Sequence, residues 1–311
     1  MKIGLVGLGN MGGRIGKRLL KEGHELHVYD VNKEALIEFQ SLGAIPAQSL
    51  TELASKNNYI LTVLPNADIV KDVVLGEKGL VTGLEPTSVL IDMTSSIPKV
   101  TNEVGNELKK HKVEMLDAPV SGGVKRAEAG TLTVMVGGDL STYEQLMPIF
   151  ESIGSKITHV GKSGTGHAVK ALNNLVSATT LSVTLEALAV GMKTGIDPYK
   201  MLEVINHSTG KSNSSENKIA QQILSGNYEI SFTMDLMYKD LTTAMSIAET
   251  TEAPSPISQA VYNLWGEAEK QMEENKVDHT EIAHLIGERS GINFSKDGTK
   301  YYYEYSEFID K

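Results

Sequence analysis

Three glycines near the start of the chain, Gly7, Gly9 and Gly12, have the spacing of a phosphate-binding turn. They follow a short apolar run at 3–6 and precede a helical pattern at 11–21. The first glycine allows a tight turn, the second lets the backbone approach a pyrophosphate, and the third lets helix and strand pack closely. The pattern predicts that phosphate groups bind the N–H groups at the start of this helix.

An acidic residue follows at the position where a ribose would be bound. The apolar run 25–29 ends at Asp30, eighteen residues after Gly12. A carboxylate at the tip of a second strand accepts hydrogen bonds from ribose hydroxyls and repels a 2′-phosphate. None of the three residues after Asp30 is an arginine. The sequence therefore predicts NAD rather than NADP as cofactor, against the alternative of a glycine-rich turn that binds no nucleotide.

A serine followed by two glycines, Ser121, Gly122 and Gly123, comes shortly after another apolar run. A hydroxyl beside exposed backbone N–H groups can hold a small carboxylate without any arginine. The alternative interpretation is a plain turn after a strand.

Two further apolar runs end in Leu64-Pro65 and in Thr94-Ser95. Ligands of open α/β sheets bind outside the carboxyl ends of the strands. We therefore expect both segments to line the cofactor cleft.

Lys170 and Asn174 are four residues apart in a predicted helix and so share one of its faces. A lysine buried early in a helix is costly unless it has a partner or a task, and general acid/base chemistry is such a task. His167 is a rival base, and a surface lysine is the alternative for Lys170. Lys239 and Asp240 lie in a later helical pattern, where solvent-facing charges are the alternative.

The elements that must position these residues divide the chain. Over residues 1–161, short apolar runs alternate with helical patterns, as in a doubly wound, mostly parallel sheet. The runs predicted as strands are 3–6, 25–29, 59–64, 88–92, 113–117, 132–136 and 157–160. The glycine-rich segment 161–166 marks the predicted end of this α/β domain.

The rest of the chain reads as helix. A long helix is predicted over 167–194 with Gly195 as its C-cap, followed by a helix that starts at Asp197-Pro198. The other predicted helices are 215–224, 235–250, 256–274 and 279–288. The predicted organisation is an α/β domain at 1–161, an all-α domain at 162–292, with the long helix joining the two, and a tyrosine-rich tail at 293–311.

Composition excludes several classes of function. A net charge of −10 provides no basic surface for nucleic acid. The absence of cysteine excludes disulfides, thiolate catalysis and cysteine-bound metals. The chain enters a strand at Lys2, and no apolar run appears long enough for a membrane span, so a cytoplasmic protein is expected.

Six motifs in one order are similar to those of the β-hydroxyacid dehydrogenases. They are Gly-Leu-Gly-Asn-Met-Gly at 7–12, Leu64-Pro65, Asp-Ala-Pro-Val-Ser-Gly-Gly at 117–123, the glycine-ended strand at 130–138, Lys170 with Asn174, and Lys-Asp-Leu at 239–241. This family includes 3-hydroxyisobutyrate dehydrogenase and tartronate semialdehyde reductase, and the resemblance covers residues 1 to about 289. It implies a Rossmann domain, a helical domain, and a homodimer or homotetramer.

The resemblance also implies roles for single residues. Lys170 resembles the catalytic lysine and Asn174 the neighbour that orients the substrate, while Ser121, Gly122 and Gly123 resemble the cradle for the substrate carboxylate. Lys239 resembles the residue that closes over the nicotinamide, with Asp240 as its companion at the substrate. The residues that the resemblance and the motifs assign to the cofactor are Gly7, Leu8, Gly9, Asn10, Met11, Gly12, Asp30, Leu64, Pro65, Thr94, Ser95 and Lys239. No metal is needed, because a lysine ammonium can stabilise a developing alkoxide.

The implied substrate is a small carboxylate, a 3-hydroxy acid or its semialdehyde. Relatives that use a methyl-branched acid carry a tryptophan shortly after the glycine that aligns with Gly210, where this chain has Lys211, Ser212 and Asn213. Lys211 and Asn213 would give a polar lining, which favours a glycerate, tartronate semialdehyde or threonate type of substrate.

Three other functions stand against this one. An imine reductase of the same fold usually lacks a lysine at the Lys170 position. A non-catalytic nucleotide sensor would have lost Lys170, Asn174 or Ser121, and all three are present. A phosphorylated sugar acid would need an arginine cluster, whereas the arginines here are scattered.

Overall fold

One sheet of nine strands organises the first part of the chain. The computed structural model describes residues 1–272 and 276–295. The strands are β1 Lys2–Val6, β2 Glu25–Tyr29, β3 Ile45–Pro46, β4 Tyr59–Thr62, β5 Val89–Asp92, β6 Glu114–Asp117, β7 Val120–Ser121, β8 Leu132–Gly137 and β9 Gly154–Gly161. Their order is β3-β2-β1-β4-β5-β6-β8-β7, with β9 beside β8. The predicted doubly wound sheet is confirmed. The short strands β3 and β7 were not predicted, because two residues are too few to show a strand periodicity.

Strand direction and register bring four strand ends into one row. Strands β1 to β6 pair in parallel, and only the pairings of β8 with β6 and β7 are antiparallel. Val6 lies opposite Thr62, Thr62 opposite Asp92, and Asp92 opposite Asp117. Because parallel strands end at the same edge, the segments that follow them share that edge of the sheet.

Helices cover both faces of the sheet. They are α1 Asn10–Lys21, α2 Lys33–Ser41, α3 Leu50–Lys56, α4 Ala67–Leu75, α5 Pro98–Lys110, α6 Gly123–Ala129, α7 Leu140–Gln145 and α8 Met147–Ile153. Leu5 and Leu61 belong to one apolar core, and their chain neighbours Val6 and Ile60 belong to another. This alternation follows from the two-residue period of a strand and gives near-continuous apolar runs in a buried parallel sheet.

A helix of 29 residues, α9 Thr165–Lys193, follows the sheet. It ends where predicted, since Gly195 has φ +87° and the N–H of Ile196 bonds back to the carbonyl of Gly191. The chain divides into two compact units within α9, Met1–Ala171 and Leu172–Lys311.

The expectation that no apolar run reaches membrane-spanning length was wrong for α9, which is long and apolar enough by composition. Its apolar character has a different use, because Leu181, Leu185 and Leu188 are fully buried in a protein core. The core helix of a globular protein passes the same test of length and composition.

The second unit is helical. Its helices after α9 are α10 Pro198–Asn206, α11 Asn213–Asn217, α12 Met234–Thr250, α13 Pro256–Met272 and α14 Ile282–Ser290. Asp197 caps α10 through the N–H groups of Tyr199 and Lys200, as predicted. Trp265 lies at the centre of the core and donates from its indole N–H to the Ser182 hydroxyl at 2.9 Å.

The predicted helix at 215–224 was wrong in two respects. A capping box between Ser212 and Ser215 starts α11 two residues earlier, and the chain then breaks at Lys218 and continues as a π-helical turn, Ile219–Leu224. Likewise the predicted helix at 279–288 begins with a 3₁₀ turn, His279–Glu281, before α14. The tyrosines of the predicted tail, at 301–303 and 305, lie outside the described residues.

Candidate active site

The glycine turn between β1 and α1 has the geometry that its sequence predicts. Gly7 has φ +97°, and a Cβ there would lie 2.2 Å from the Val63 carbonyl oxygen. A Cβ at Gly12 would lie 2.1 Å from the Gly7 oxygen. Gly9 differs, because a Cβ built on it meets no atom of the described residues within 4 Å. Protein packing therefore explains two of the glycines, and the third leaves space for a ligand beside the backbone.

The start of α1 is suited to a diphosphate. Gly9 is the N-cap residue and supplies no side-chain cap, and the first turn holds no acidic residue. The exposed Gly9 and Asn10 begin the helix, while Met11 is half-buried and packs on the core, as the buried Leu8 does. The N–H groups and the helix dipole of this terminus favour an anion.

Asp30 is bound to the backbone around it. Its Oδ2 accepts from the Leu8 N–H at 2.6 Å, and its Oδ1 accepts from the Asn32 N–H at 2.7 Å. A carboxylate oxygen can accept more than one hydrogen bond, so the group can still bind ribose hydroxyls. A cleft of about 690 Å³ lies beside α1 and α2 and is lined among others by Gly9, Asn10, Arg14 and Asn32, although not by Asp30 itself. Arg14 and Asn32 were not predicted as site residues, since neither belongs to the glycine motif.

The loops after β4 and β5 are joined below this edge. Thr94 is buried, accepts from the Leu64 N–H through its hydroxyl at 3.0 Å, and donates its own N–H to Asp92. This corrects the prediction of Thr94 as a cofactor contact, because Thr94 is 1% exposed and its hydroxyl holds the Leu64 N–H. Ser95 is half-buried and Pro65 is exposed, so both are accessible to a ligand.

Ser121, Gly122 and Gly123 link β7 to α6. Ser121 is half-buried, and both glycines are exposed with positive φ, +131° and +67°. A Cβ at Gly122 would meet Cδ of Arg126 at 2.6 Å, whereas one at Gly123 would meet no atom of residues 1–272 or 276–295 within 4 Å. No side chain caps α6. A hydroxyl and the N–H groups of a turn thus stand together, as the carboxylate cradle requires.

Asp117, at the end of β6, holds the beginning of α9. Its Oδ1 accepts from the Gly164 N–H at 2.7 Å, and its Oδ2 accepts from the His167 N–H at 2.9 Å. Burial raises the pKa of Asp117, and the nearby His167 opposes this. His167 is 1% exposed, so it is not accessible as a base for substrate. Lys170, one turn further along α9, is half-buried.

Asn174 follows Lys170 by one turn of α9 and is buried. Its side-chain amide donates to Oδ2 of Asp240 at 2.6 Å, and Oδ1 of Asp240 lies 3.6 Å from the ammonium of Lys239. Asp240 is 2% exposed. This corrects its prediction as a substrate contact, because its carboxylate binds and orients Asn174 and Lys239.

The polar segment after Gly210 does not form the predicted buried lining. Asn213 is exposed, and Lys211 is exposed and forms an ion pair with Glu216 at 2.6 Å. Ser214 and Ser215 are the buried members, and Ser215 belongs to the capping box of α11. An exposed Asn213 needs no hydroxyl from a substrate, so the argument for a polar substrate from this residue is removed.

The sequence matches two family models that cover most of the chain. Residues 2–161 match the NAD binding domain of 6-phosphogluconate dehydrogenase. Residues 164–286 match the NAD-binding domain of NADP-dependent 3-hydroxyisobutyrate dehydrogenase.

Individual proteins agree with these models. The chain is 34% identical over 295 residues to 2-(hydroxymethyl)glutarate dehydrogenase of Eubacterium barkeri, covering 95% of this chain and 98% of that one. It is 33% identical to L-threonate dehydrogenase of Cupriavidus necator, covering 85% and 89%. The structure of Mycobacterium tuberculosis 3-hydroxyisobutyrate dehydrogenase with L-serine superposes with a TM-score of 0.83 at 28% identity, covering 92% and 98%.

The glycine turn with space beside Gly9 and the acidic residue at the tip of β2 are features of a dinucleotide-binding domain, which is what the first family model describes. The NAD cofactor and the expected family are thereby confirmed. The chain belongs to the β-hydroxyacid dehydrogenase family of NAD-dependent oxidoreductases that act on small hydroxy acids.

Proposed function

We propose that this protein transfers a hydride between NAD and a small 3-hydroxy acid or its semialdehyde, with Lys170 as general acid and base. The observation that carries the proposal is the placement of Lys170 and Asn174 on successive turns of α9, with Asn174 held by the buried Asp240. A fixed amide one turn from an amine can hold a substrate hydroxyl while the amine exchanges its proton.

The bound nicotinamide supplies the carbon that accepts or donates the hydride. In oxidation, Lys170 takes the proton of the substrate hydroxyl, and in reduction its ammonium returns a proton to the carbonyl oxygen. The positive charge of the ammonium stabilises an alkoxide at that oxygen. The roles that we propose for the other groups are binding of the carboxylate by Ser121, Gly122 and Gly123, and closure over the nicotinamide by Lys239.

Two groups of hydroxy acids are candidates for the substrate. Relatives are named for 3-hydroxyisobutyrate, for 2-(hydroxymethyl)glutarate and for L-threonate. We place an unbranched or methyl-branched 3-hydroxy acid first, because the two residues from which a polar lining was predicted, Asn213 and Lys211, are exposed, and Lys211 is paired with Glu216. A glycerate, tartronate semialdehyde or threonate type of substrate is the second candidate, supported by the threonate relative.

A substrate panel tests the proposal. Formation of NADH is measured with 3-hydroxyisobutyrate, 3-hydroxypropionate, L-threonate, both glycerates, 2-(hydroxymethyl)glutarate and serine. We expect turnover of one group of acids, and a loss of about 10²- to 10⁴-fold in kcat for Lys170→Ala with NAD binding retained. Lys193→Ala, an exposed lysine at the end of the same helix, is the control.

Turnover that persists in Lys170→Ala would contradict the assigned acid and base. NAD binding without turnover of any acid would favour a nucleotide sensor instead.

We also propose a cytoplasmic homodimer or homotetramer. Support comes from an exposed apolar row on α9, in which Val176, Val183 and Val190 recur every seven residues with 62%, 55% and 65% exposure. A seven-residue repeat keeps side chains on nearly one side of a helix and is typical of helices that pack on a partner.

A further inference from the structure

Three ionisable side chains are buried together below the first turn of α9. Asp92 and Asp117 end the adjacent strands β5 and β6, and both are 0% exposed. The imidazole of His167 lies over them, with Nε2 3.8 Å from Oδ2 of Asp92 and Nδ1 3.9 Å from Oδ2 of Asp117. Helix α5 contributes the hydroxyl of Thr101, 2.7 Å from Nδ1. Burying two carboxylates is expensive unless positive charge or protons accompany them.

The hydrogen bonds around Thr101 determine which imidazole nitrogen carries hydrogen. The hydroxyl of Thr101 has one hydrogen, and it donates to the carbonyl oxygen of Ile97 at 3.1 Å. We assign that hydrogen to Ile97, so that the same oxygen accepts from Nδ1–H of His167 at 2.7 Å. Nε2 then faces Asp92, whose Oδ1 is occupied by Thr62 and Thr94.

One proton can bind to either side of the pair formed by Asp92 and His167. If the proton is on Nε2, an imidazolium lies between two carboxylates. If it is on Oδ2 of Asp92, a neutral carboxyl faces a neutral imidazole. Burial raises the pKa of Asp92 to about 6, which brings protonation of this carboxylate closer to neutral pH. Among the described residues, Oδ2 of Asp92 accepts no hydrogen bond, which leaves it able to carry that proton. Such a pair titrates as one unit.

The cluster is mechanically linked to the catalytic lysine. Asp117 binds the backbone N–H groups of Gly164 and His167, so the start of α9 is tied to the end of β6. The side chain of His167 ties the same turn to β5 and to α5. Lys170 follows His167 by three residues in the same helix. Any shift of the first turn is therefore passed to Lys170 by the rigid helix.

We propose that His167 is a positioning residue for the reaction, and that the single proton it shares with Asp92 keeps the first turn of α9, and with it Lys170, in the catalytic position. The role of Lys170 in this statement rests on the proposed function. A second proton neutralises Asp92 and so removes the ion pair that positions this turn. Loss of the only proton leaves a lone pair of Nε2 against a carboxylate, which repels it.

The dependence of kcat on pH tests the role. In the wild type, log kcat falls with decreasing pH as Lys170 becomes protonated, with a slope of about one. Below the pH at which the cluster takes its second proton, the slope steepens to about two. We expect His167→Gln, which keeps a donor for Thr101 but carries no titrating proton, to lower the kcat plateau about 10-fold or more and to keep a slope of about one throughout. We expect Asp92→Asn also to lose the steeper part.

A buried histidine elsewhere in the sheet provides the matched control. His27 is 5% exposed and bonded through Nδ1 to Asn57 at 2.8 Å. His27→Gln should leave the slope of the pH profile as in the wild type, and its kcat should stay within about 3-fold of the wild-type kcat. The reason is that His27 lies in β2 and not beside the first turn of α9. A steep limb that survives in His167→Gln would overturn the proposal, as would an unchanged plateau.

The ¹⁵N NMR signals of the imidazole test the cluster without catalysis. In the wild type we expect Nδ1 of His167 to be protonated throughout and Nε2 to shift with pH, and Asp92→Asn to displace that titration. A neutral imidazole with its hydrogen on Nε2 and none on Nδ1 would contradict the proton assignment. If Lys170→Ala retains activity while these signals behave as stated, the proposed function fails and the protonation of the cluster stands.

Discussion

Asn174 donates from its side-chain amide to Oδ2 of Asp240 over 2.6 Å, and both residues are buried. The bond fixes which end of the amide faces the carboxylate, so the carbonyl oxygen of Asn174 is turned the other way. That oxygen accepts from Asn173 at 3.2 Å. An aspartate in α12 thereby orients an asparagine in α9 that stands one turn from Lys170.

A double-mutant cycle at this pair should show coupling. Because each single change leaves a buried polar group without its partner, we expect Asn174→Ala and Asp240→Ala to be non-additive in unfolding free energy by about 1–3 kcal/mol. Urea unfolding of the four proteins measures this. In kcat, Asp240→Ala should cost about 10-fold or more through the misplaced amide. Additive effects would mean that Asp240 does not orient Asn174.

Two alanine substitutions in the glycine turn should separate ligand binding from folding. In the part of the chain that the structure describes, a Cβ at Gly9 meets no atom within 4 Å, so Gly9→Ala should keep the Tm of the wild type and weaken NAD binding about 10-fold or more. A Cβ at Gly12 lies 2.1 Å from a backbone oxygen, so Gly12→Ala should lower the Tm. Thermal unfolding and NAD titration provide both quantities. Equal losses of Tm in the two variants would contradict the ligand space beside Gly9.

Asp30 should control the choice of cofactor. Asp30→Ala removes the acceptor of the Leu8 and Asn32 N–H groups and the charge that repels a 2′-phosphate. We expect the preference for NAD over NADP, as a ratio of kcat/KM values, to fall about 10-fold or more. Asp139→Ala is the control, since Asp139 also accepts a backbone N–H, but at the start of α7. An unchanged ratio in Asp30→Ala would remove its assigned role.

Asp92 should make stability fall with rising pH. Its pKa rises from the ordinary 3.8 to about 6 because of burial. Between these values the unfolded chain has lost a proton that the folded protein keeps, so the free energy of unfolding decreases as pH rises and is level above about 6. Relative to Asp92→Asn, the wild type should lose about 2 kcal/mol from pH 4 to 6, out of about 3 kcal/mol over the whole transition. Urea unfolding across this range checks it, and a constant difference between the two proteins would contradict it.

An opposite trend is expected for an exposed aspartate. Hydrogen bonds from Ser141 and Thr142 lower the pKa of Asp139 to about 2. Its contribution should be present above pH about 4 and lost as the pH falls toward 2. Asp139→Asn, measured in the same series, therefore shows that the method resolves the sign.

The apolar row on α9 should be part of a subunit interface. Val183→Glu places a charge at its centre, and a buried unpaired charge opposes association. We expect the variant to have the mass of a monomer by analytical ultracentrifugation where the wild type has that of a dimer or tetramer. Val204→Glu, at a residue of α10 that is 64% exposed, is the control and should assemble as the wild type does. Unchanged assembly of Val183→Glu would exclude this row as the interface.

The sequence alone was sufficient to predict the roles of residues whose partners are near in the chain. Gly7, Gly9, Gly12 and Asp30 lie within one β-α-β unit, so their spacing and types carry the turn, the helix start and the acid at the strand tip. The alternation of apolar runs with helical patterns similarly indicates the sheet. Family motifs then identify Lys170 and Asn174, because several of them occur in the required order.

The tertiary structure decided the contacts that join residues distant in the chain. Asp240 is 66 residues from Asn174, and Asp117 is 50 residues from His167. Strand order and the packing of helices bring these pairs together, and no local pattern encodes either. The same reason explains the corrections. Thr94 and His167 are buried and therefore inaccessible to a ligand, whereas Asn213 is exposed to solvent. Burial is a sum over the whole fold, whereas periodicity reports only on neighbours along the chain.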